Sequence, residues 1–358
     1  MTVSAAPPRR RLLYYAHHHG SGHLRHAERL ARLDLAELVV VGTGAGRLPG
    51  GVELPPDDLD PHREPEGSPF HWTPRTPAVR RRMAAFHAAL EAHDPELVVV
   101  DVSVEAAAFA ALSGYRVAVR RMPGDRRDRA HELAYDLADR LLAYYPESVE
   151  DPAFARERAG RCSWLGMPAP AAPDPAHESA LDPAHLDAAE GAVVVLSGRG
   201  GDGVPAAELA RAAAATPGRR WAVLGAVHGA AAELAALPNE VVLLGDRPAA
   251  PFLARAAAIV AGAGANTVAD VAAAGRPLVL VPEPRPHREQ AAFAERLAAT
   301  FGTPTAPSWA AASWPELLER AEAADPDALA RGLLVSEREY GERFREAVEF
   351  AVGADVAG

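Results

Sequence analysis

The sequence contains no lysine, a single glutamine (Gln290), two asparagines (Asn239 and Asn266) and one cysteine (Cys162). Arginine, alanine, proline and glycine fill the space, a bias of GC-rich coding rather than of function. It gives the surviving amides more weight. One cysteine excludes an internal disulfide and fits a reducing cytoplasm. A net basic charge is also missing. The formal charge is −11, which excludes an unaided nucleic-acid binder, because neutralising phosphates needs a basic face. A small anionic ligand stays open, since a local group of arginines can hold one. No apolar stretch approaches membrane-spanning length without a charge, glycine or proline. The N-terminal MTVSAAPPRRRLLYYAHHH reads as neither a signal peptide nor a span. The expected location is the cytoplasm, with no strong membrane anchor.

What is there is enough for two cores: 358 residues, 49% of them hydrophobic. Short apolar runs alternate with amphipathic, alanine-rich stretches. Strands are predicted at Arg11–Ala16, Glu37–Val41, Glu96–Asp101, Tyr115–Val119 and Arg140–Ala143. Helices are predicted at Gly22–Leu33, Pro77–His93, Val104–Ser113 and Asp128–Ala138, with 42–76 irregular. All-apolar strands between helices imply a parallel sheet covered on both faces. The alternation stops at the proline-rich Pro168–Pro183, the best linker candidate. It restarts with strands at Ala192–Leu196, Trp221–Leu224, Val241–Leu244, Ala258–Ala261 and Leu278–Val281. A charged helical stretch, Ala323–Val352, closes the chain with no strand after it. The expected fold class is α/β, two doubly wound Rossmann-like domains facing a cleft. The boundaries are 1–166, a linker at 167–190, 191–334, and a C-terminal helix and tail at 335–358. Such sheets bind ligands at the carboxyl ends of their strands.

Three clusters lie at such ends. The first is the stretch YYAHHHGSGHLRHAERLARL, Tyr14 to Leu33. Gly20 and Gly22 permit a tight turn, and the helix that follows offers unpaired N–H groups to an anion. His23, in its first turn, can act as a general base near neutral pH. A glycine turn capped by histidines explains the same residues. His17, His18 and His19 do not converge on one metal ion, because successive strand residues point to opposite faces. The second is Ser197-Gly198-Arg199-Gly200-Gly201, in the same position of the second half. Its serine and glycines suit a diphosphate and Arg199 could pair with it, although a flexible loop also fits. The third is IVAGAGANTVADVAAAGRPLVLVPEPRPHREQAAFAERL, Ile259 to Leu297. Gly262, Gly264 and Ala265 allow a ligand close to the backbone, and Asn266 and Thr267 suit helix caps. Asp270 lies one turn in, where a carboxylate could accept two ribose hydroxyls. His287, Arg288, Glu289 and Gln290 open another helix with donors and acceptors for sugar hydroxyls.

This third segment resembles the nucleotide-sugar half of MurG-like glycosyltransferases, the UDP-GlcNAc-using GT-B group. The likeness is carried by Gly264-Ala265-x-Thr267-Val268-x-Asp270, Gly275-x-Pro277, Val281-Pro282 and the pair Glu289-Gln290. Gly20-Ser21-Gly22-His23 is similar to the first-domain loop of the same group. The resemblance implies ribose hydroxyls on Asp270, where the family usually has Glu, and sugar hydroxyls on Glu289 and Gln290. It implies a diphosphate against Ser197–Gly201 and the turn Gly262–Thr267, an acceptor mainly in the first domain, and a tail helix crossing back to that domain. Departures are Glu289 at an amide position, Phe293 where an asparagine is expected, and no patch for a polyprenyl acceptor.

The function this implies is transfer of a sugar from a nucleotide diphosphate sugar, UDP-linked, to an acceptor hydroxyl. The step is a single inverting displacement that by its logic uses no cofactor and no metal. The partners are the nucleotide sugar and a small-molecule or glycan acceptor. His23 is the expected base, with Asp101 and Glu105 as alternates, although Asp101 also suits a cap on the helix at Val104. His19, Asp101, Arg121 and Arg126 are the candidate acceptor contacts. The two arginines belong to a basic cluster with Arg120, Arg127 and Arg129 that could bind an anionic acceptor or simply be solvated. Two rivals are a UDP-sugar hydrolase of the related Gly-x-Gly-His type and a non-catalytic nucleotide-sugar-binding protein. Those hydrolases usually place an arginine three residues after the histidine, whereas here Arg25 follows His23 by two.

Overall fold

The computed structural model describes residues 9–17, 22–57, 76–171, 181–197 and 203–353. The first half builds a seven-stranded sheet from β1 (Arg11–Tyr15), β2 (Glu37–Gly42), β3 (Val52–Glu53), β4 (Leu97–Val100), β5 (Val117–Arg121), β6 (Arg140–Ala143) and β7 (Cys162–Trp164). Its order is β3-β2-β1-β4-β5-β6-β7 and every pairing is parallel. β1 shows why the run is apolar throughout. Leu13 and Tyr15 enter one core layer while Leu12 and Tyr14 enter the layer on the opposite face. A strand covered on both sides has no polar side to show.

The second half repeats the plan. After β8 (Met167–Pro168) come β9 (Val193–Leu196), β10 (Val204–Pro205), β11 (Trp221–Leu224), β12 (Val227–His228), β13 (Val241–Gly245), β14 (Ala258–Ala261) and β15 (Leu278–Leu280). The five-stranded sheet runs β13-β11-β9-β14-β15, all parallel. In both sheets the first strand is central and the chain then crosses to its other side. The crevices between β1 and β4, and between β9 and β14, are therefore switch points, the places where open α/β sheets hold ligands.

The tail differs from one continuous helix. Pro326 lacks the N–H that would carry the helix Trp314–Ala323 onward. A short helix, Ala328–Leu333, leads to β16 (Leu334–Val335), which pairs in parallel with β8. The last helix, Glu337–Gly353, then packs on the first domain. Its Tyr340, Phe344, Ala347, Val348 and Ala351 share a core with Leu12, Tyr14, Leu24 and Leu30, and Glu349 takes the Arg10 guanidinium at 2.7 and 3.0 Å. Among the described residues, no helix is long and apolar enough to cross a membrane.

Candidate active site

The helix Gly22–Leu33 follows β1, so its first turn stands at the first switch point, and Asp101 follows β4 on the other side of that crevice. Their side chains meet, with His23 Nδ1 2.9 Å from Asp101 Oδ2. Asp101 is fully buried. It also accepts from the Tyr14 hydroxyl at 2.9 Å and from Arg120 Nη1 at 2.9 and 3.1 Å. Burial opposes its charge, but Arg120 and His23 together outweigh that and hold the carboxyl well below the usual carboxylate range. With Nδ1 turned to this carboxylate, His23 keeps Nε2 as the nitrogen that can take a proton.

Asp101 is thus engaged by three side chains and is not the helix cap. Ser103 caps the helix Val104–Leu112, its hydroxyl accepting from the Ala106 N–H at 3.2 Å. Glu105, the other alternate base, takes the same hydroxyl at 3.3 Å. Between Asp101 and Ser103, Val102 has φ +63. A β-branched residue takes that left-handed conformation only when its surroundings impose it, at about 1–3 kcal/mol. The bend sets Asp101 beneath His23.

Behind the pair lies a closed aromatic and polar layer. Arg120 sits 4.5 Å over the Tyr144 ring. His26 stacks on Tyr144 at 4.0 Å and meets the Tyr340 hydroxyl of the last helix at 2.9 Å. Burial, with Arg120 next, pushes His26 well below its ordinary value. Nothing in the local sequence announces Tyr14, Tyr144 or Tyr340, since each is assembled from a different element.

Three further arginines of the expected basic cluster are engaged in ion pairs. Arg121 is buried in a two-pronged pair with Glu150, both bonds 2.8 Å, and lies over Phe154. Arg127 pairs with Glu132 and Glu157. Arg126 crosses to the second domain and donates from Nη2 to Glu289 Oε2 at 2.6 Å.

On the facing side, the turn after β14 enters the helix Ala265–Ala274, capped at Gly264 without a side-chain bond. Asn266 and Thr267 are therefore inside the helix rather than its caps. A Cβ on Gly22 would lie 3.1 Å from Asn266 Nδ2, so the starts of the two helices oppose each other closely. Asp270, one turn on, is pushed up by burial and drawn the other way by Arg25 and Arg29 of the first domain. Ser197 follows β9, and its buried hydroxyl has no hydrogen-bond partner among the described residues. The Gln290 oxygen is engaged within the second domain: Oε1 accepts from the backbone of Ala263 at 2.9 Å and of Glu283 at 3.0 Å. It braces the two loops at the strand ends, and a Cβ on Gly262 would crowd it at 3.0 Å. Glu289, by contrast, stays partly exposed beside His287. His19, Gly20, Gly198, Arg199 and Gly200 lie outside the described residues.

His287, Asp128 and His131 place ligand-type atoms within 4.8 Å of one another. Their chemistry does not make a metal centre as arranged. Burial, with Arg126 beside it, pushes His131 down to about 3, so the ring is neutral. Its Nδ1 is 2.5 Å from Asp128 Oδ2 and its Nε2 is 3.3 Å from Arg126 Nη1. Arg126 can only donate, so the ring's one proton sits on Nδ1 and no His131 lone pair faces the other two groups.

Comparison with known proteins agrees with the two-domain fold. Residues 246–306 match the family model described as the glycosyltransferase family 28 C-terminal domain. No curated protein sequence matches the chain. Among solved structures, the glycotransferase of kitacinnamycin aligns over 97% of this chain and 100% of its own, with 17% identity and a TM-score of 0.64. A UDP-glucosyltransferase from Polygonum tinctorium aligns over 98% and 97%, with 16% identity and a TM-score of 0.63. A spinosyn rhamnosyltransferase complexed with thymidine diphosphate aligns over 96% and 96%, with 17% identity and a TM-score of 0.56. The chain therefore has the GT-B fold, and residues 246–306 of its second half match the glycosyltransferase family 28 C-terminal domain.

Proposed function

We propose that the chain transfers a hexosyl group from a UDP-linked sugar to a hydroxyl of a small-molecule or glycan acceptor, with inversion at the anomeric carbon. The observation that carries this reading is the His23–Asp101 pair at 2.9 Å, at one switch point, opposite the glycine turn of the other. The acceptor hydroxyl attacks the anomeric carbon while His23 Nε2 takes its proton. The bond to the diphosphate breaks, and UDP leaves with the electron pair. Asp101 orients the ring and stabilises the imidazolium, the role of the buried carboxylate in a His–Asp pair. Charge gathers on the leaving diphosphate between the opposed starts of the helices Gly22–Leu33 and Ala265–Ala274, where unpaired N–H groups favour it. The Ser197 hydroxyl gains a partner there. Asp270 takes the ribose hydroxyls and Glu289 those of the sugar.

The test is turnover of UDP-glucose and TDP-glucose with a panel of phenol and alcohol acceptors. His23→Ala should lose about 100-fold or more in turnover, the usual scale for a general base, while calorimetric UDP binding persists. Unchanged turnover would reject His23 as the base. Rapid release of free glucose without any acceptor would replace the transferase reading with a hydrolase. Nucleotide-sugar binding with no turnover on any acceptor would leave a binding protein. One feature disfavours hydrolysis. The third residue after His23 is His26, which is enclosed by Tyr144 and Tyr340 rather than facing the cleft.

A further inference from the structure

One contact across the cleft joins the loop before the helix Arg129–Leu137 to the start of the helix Glu289–Phe301. It is built at three points. The Asp125 N–H donates to the His287 carbonyl at 2.6 Å. Gly124 packs so close that a Cβ on it would lie 2.6 Å from the His287 oxygen and 2.9 Å from Glu289 Cα, and its φ of +106 also favours glycine. Arg126 then donates from Nη2 to Glu289 Oε2 at 2.6 Å.

This is not a wandering surface ion pair. The Arg126 side chain is 9% exposed. Its Nε donates to the Pro123 carbonyl at 3.3 Å and its Nη1 lies 3.3 Å from His131 Nε2. All three nitrogens of the fork have a partner, so its direction is fixed. On the other side, His287 and Arg288 are consecutive left-handed residues, φ +56 and +49, neither of them glycine. That bend delivers Glu289 to the arginine. Arg126 meets only Oε2, which leaves the acceptor capacity of Oε1 for a ligand hydroxyl. Gln290 gives its amide oxygen to the Ala263 and Glu283 backbone, so Glu289 is the member of the acid–amide pair that keeps an acceptor oxygen for a sugar.

We propose that Arg126 is a positioning residue that fixes the Glu289 carboxylate for the donor sugar from the opposite domain, so that the sugar subsite is complete only when the cleft is closed. The inference rests on the donor reading above. It separates two parts of the donor. The ribose falls to Asp270 of the second domain alone, whereas the sugar is gripped by a carboxylate that the first domain must orient.

The test is a double-mutant cycle of Arg126→Met and Glu289→Gln, with calorimetric affinities for UDP, TDP, UDP-glucose and TDP-glucose and the donor KM of each variant. Arg126→Met should raise the donor KM by about tenfold, the scale of one charge-assisted hydrogen bond, with nucleoside diphosphate affinity unchanged. Arg126→Lys should recover part of the loss. In the Glu289→Gln background, Arg126→Met should have no further effect. Equal losses in both backgrounds, or equal weakening of diphosphate and diphosphate sugar, would overturn the positioning role. If Arg126→Met does not fold, Glu289→Gln alone decides. It should lose the preference of the protein for nucleotide sugar over nucleotide, and a retained preference overturns the role. If wild type binds none of the four ligands, the donor reading itself falls. If wild type binds nucleotide sugar and Arg126→Met binds it as tightly, only the positioning role falls.

Discussion

At the scale of residues, the site turns on one buried carboxylate shared by three donors. Asp101 has no contact with solvent, and the partners that keep it charged come from β1, β5 and the first helix. Its native ionisation is depressed relative to the unfolded chain. The stabilisation is therefore present above the ordinary carboxylate value, about 3.9, and is lost as pH falls below it toward the native value. Asp101→Asn removes the charge that orients His23 and leaves Arg120 buried without its counterion. Turnover should fall by about 100-fold or more. The melting temperature should fall at pH 7, and the gap to wild type should shrink as the pH is lowered from about 5 to 2. A gap that is constant with pH would mean that Asp101 does not stay charged in the fold. The position of His23 at the start of the helix after β1 is legible in the sequence, because a glycine turn at a strand end marks it. The role of Asp101 is not legible, because the groups that select it over a helix cap lie on other elements.

At the scale of elements, apolar runs mark most of the architecture. The helices Gly22–Leu33 and Pro77–His93 and the strands Arg140–Ala143, Trp221–Leu224 and Ala258–Ala261 fall where those runs place them. β5 is displaced, to Val117–Arg121, because its last two residues are arginines buried by partners 19 and 29 residues away. Two-residue strands such as β8 and β16 carry no pattern of their own and exist through their mutual pairing. The last helix shows what such long-range pairing does for stability. Tyr340 is fully buried and meets His26 Nε2, and His26 is kept neutral by burial and by Arg120. Tyr340→Phe preserves the packing and strands that nitrogen, which should cost about 1–3 kcal/mol. Denaturant titration should show a lower midpoint with the same slope, and turnover should change little, since the lost bond is to His26 and not to His23. An unshifted midpoint would mean that the last helix is held by apolar contact alone.

At the scale of the whole molecule, the two domains are joined by more than a linker. Ala143, Tyr145 and Val149 of the first domain belong to the same apolar core as Phe252, Ile259, Phe293 and Leu297 of the second. The Tyr145 and Phe293 rings are 6.2 Å apart, and the Thr300 hydroxyl donates to the Ser148 carbonyl at 3.0 Å. The phenylalanine that stands where the resemblance expects a polar amide is therefore a packing residue. It sits 1% exposed against the other domain, one turn after Glu289 and Gln290. A shared core makes the halves unfold together, because neither can expose its side of the seam without the other losing burial. Calorimetry should record one transition for the wild type. Phe293→Ala removes the second-domain ring that meets Tyr145, which should cost about 3–5 kcal/mol, and the loss falls on the seam rather than inside either sheet. The variant should melt earlier and broaden or split into two transitions. The donor KM should rise with it, because the same helix carries Glu289 toward Arg126. A single sharp transition merely shifted downward would place the coupling in the Arg126–Glu289 contact and the last helix instead of this core.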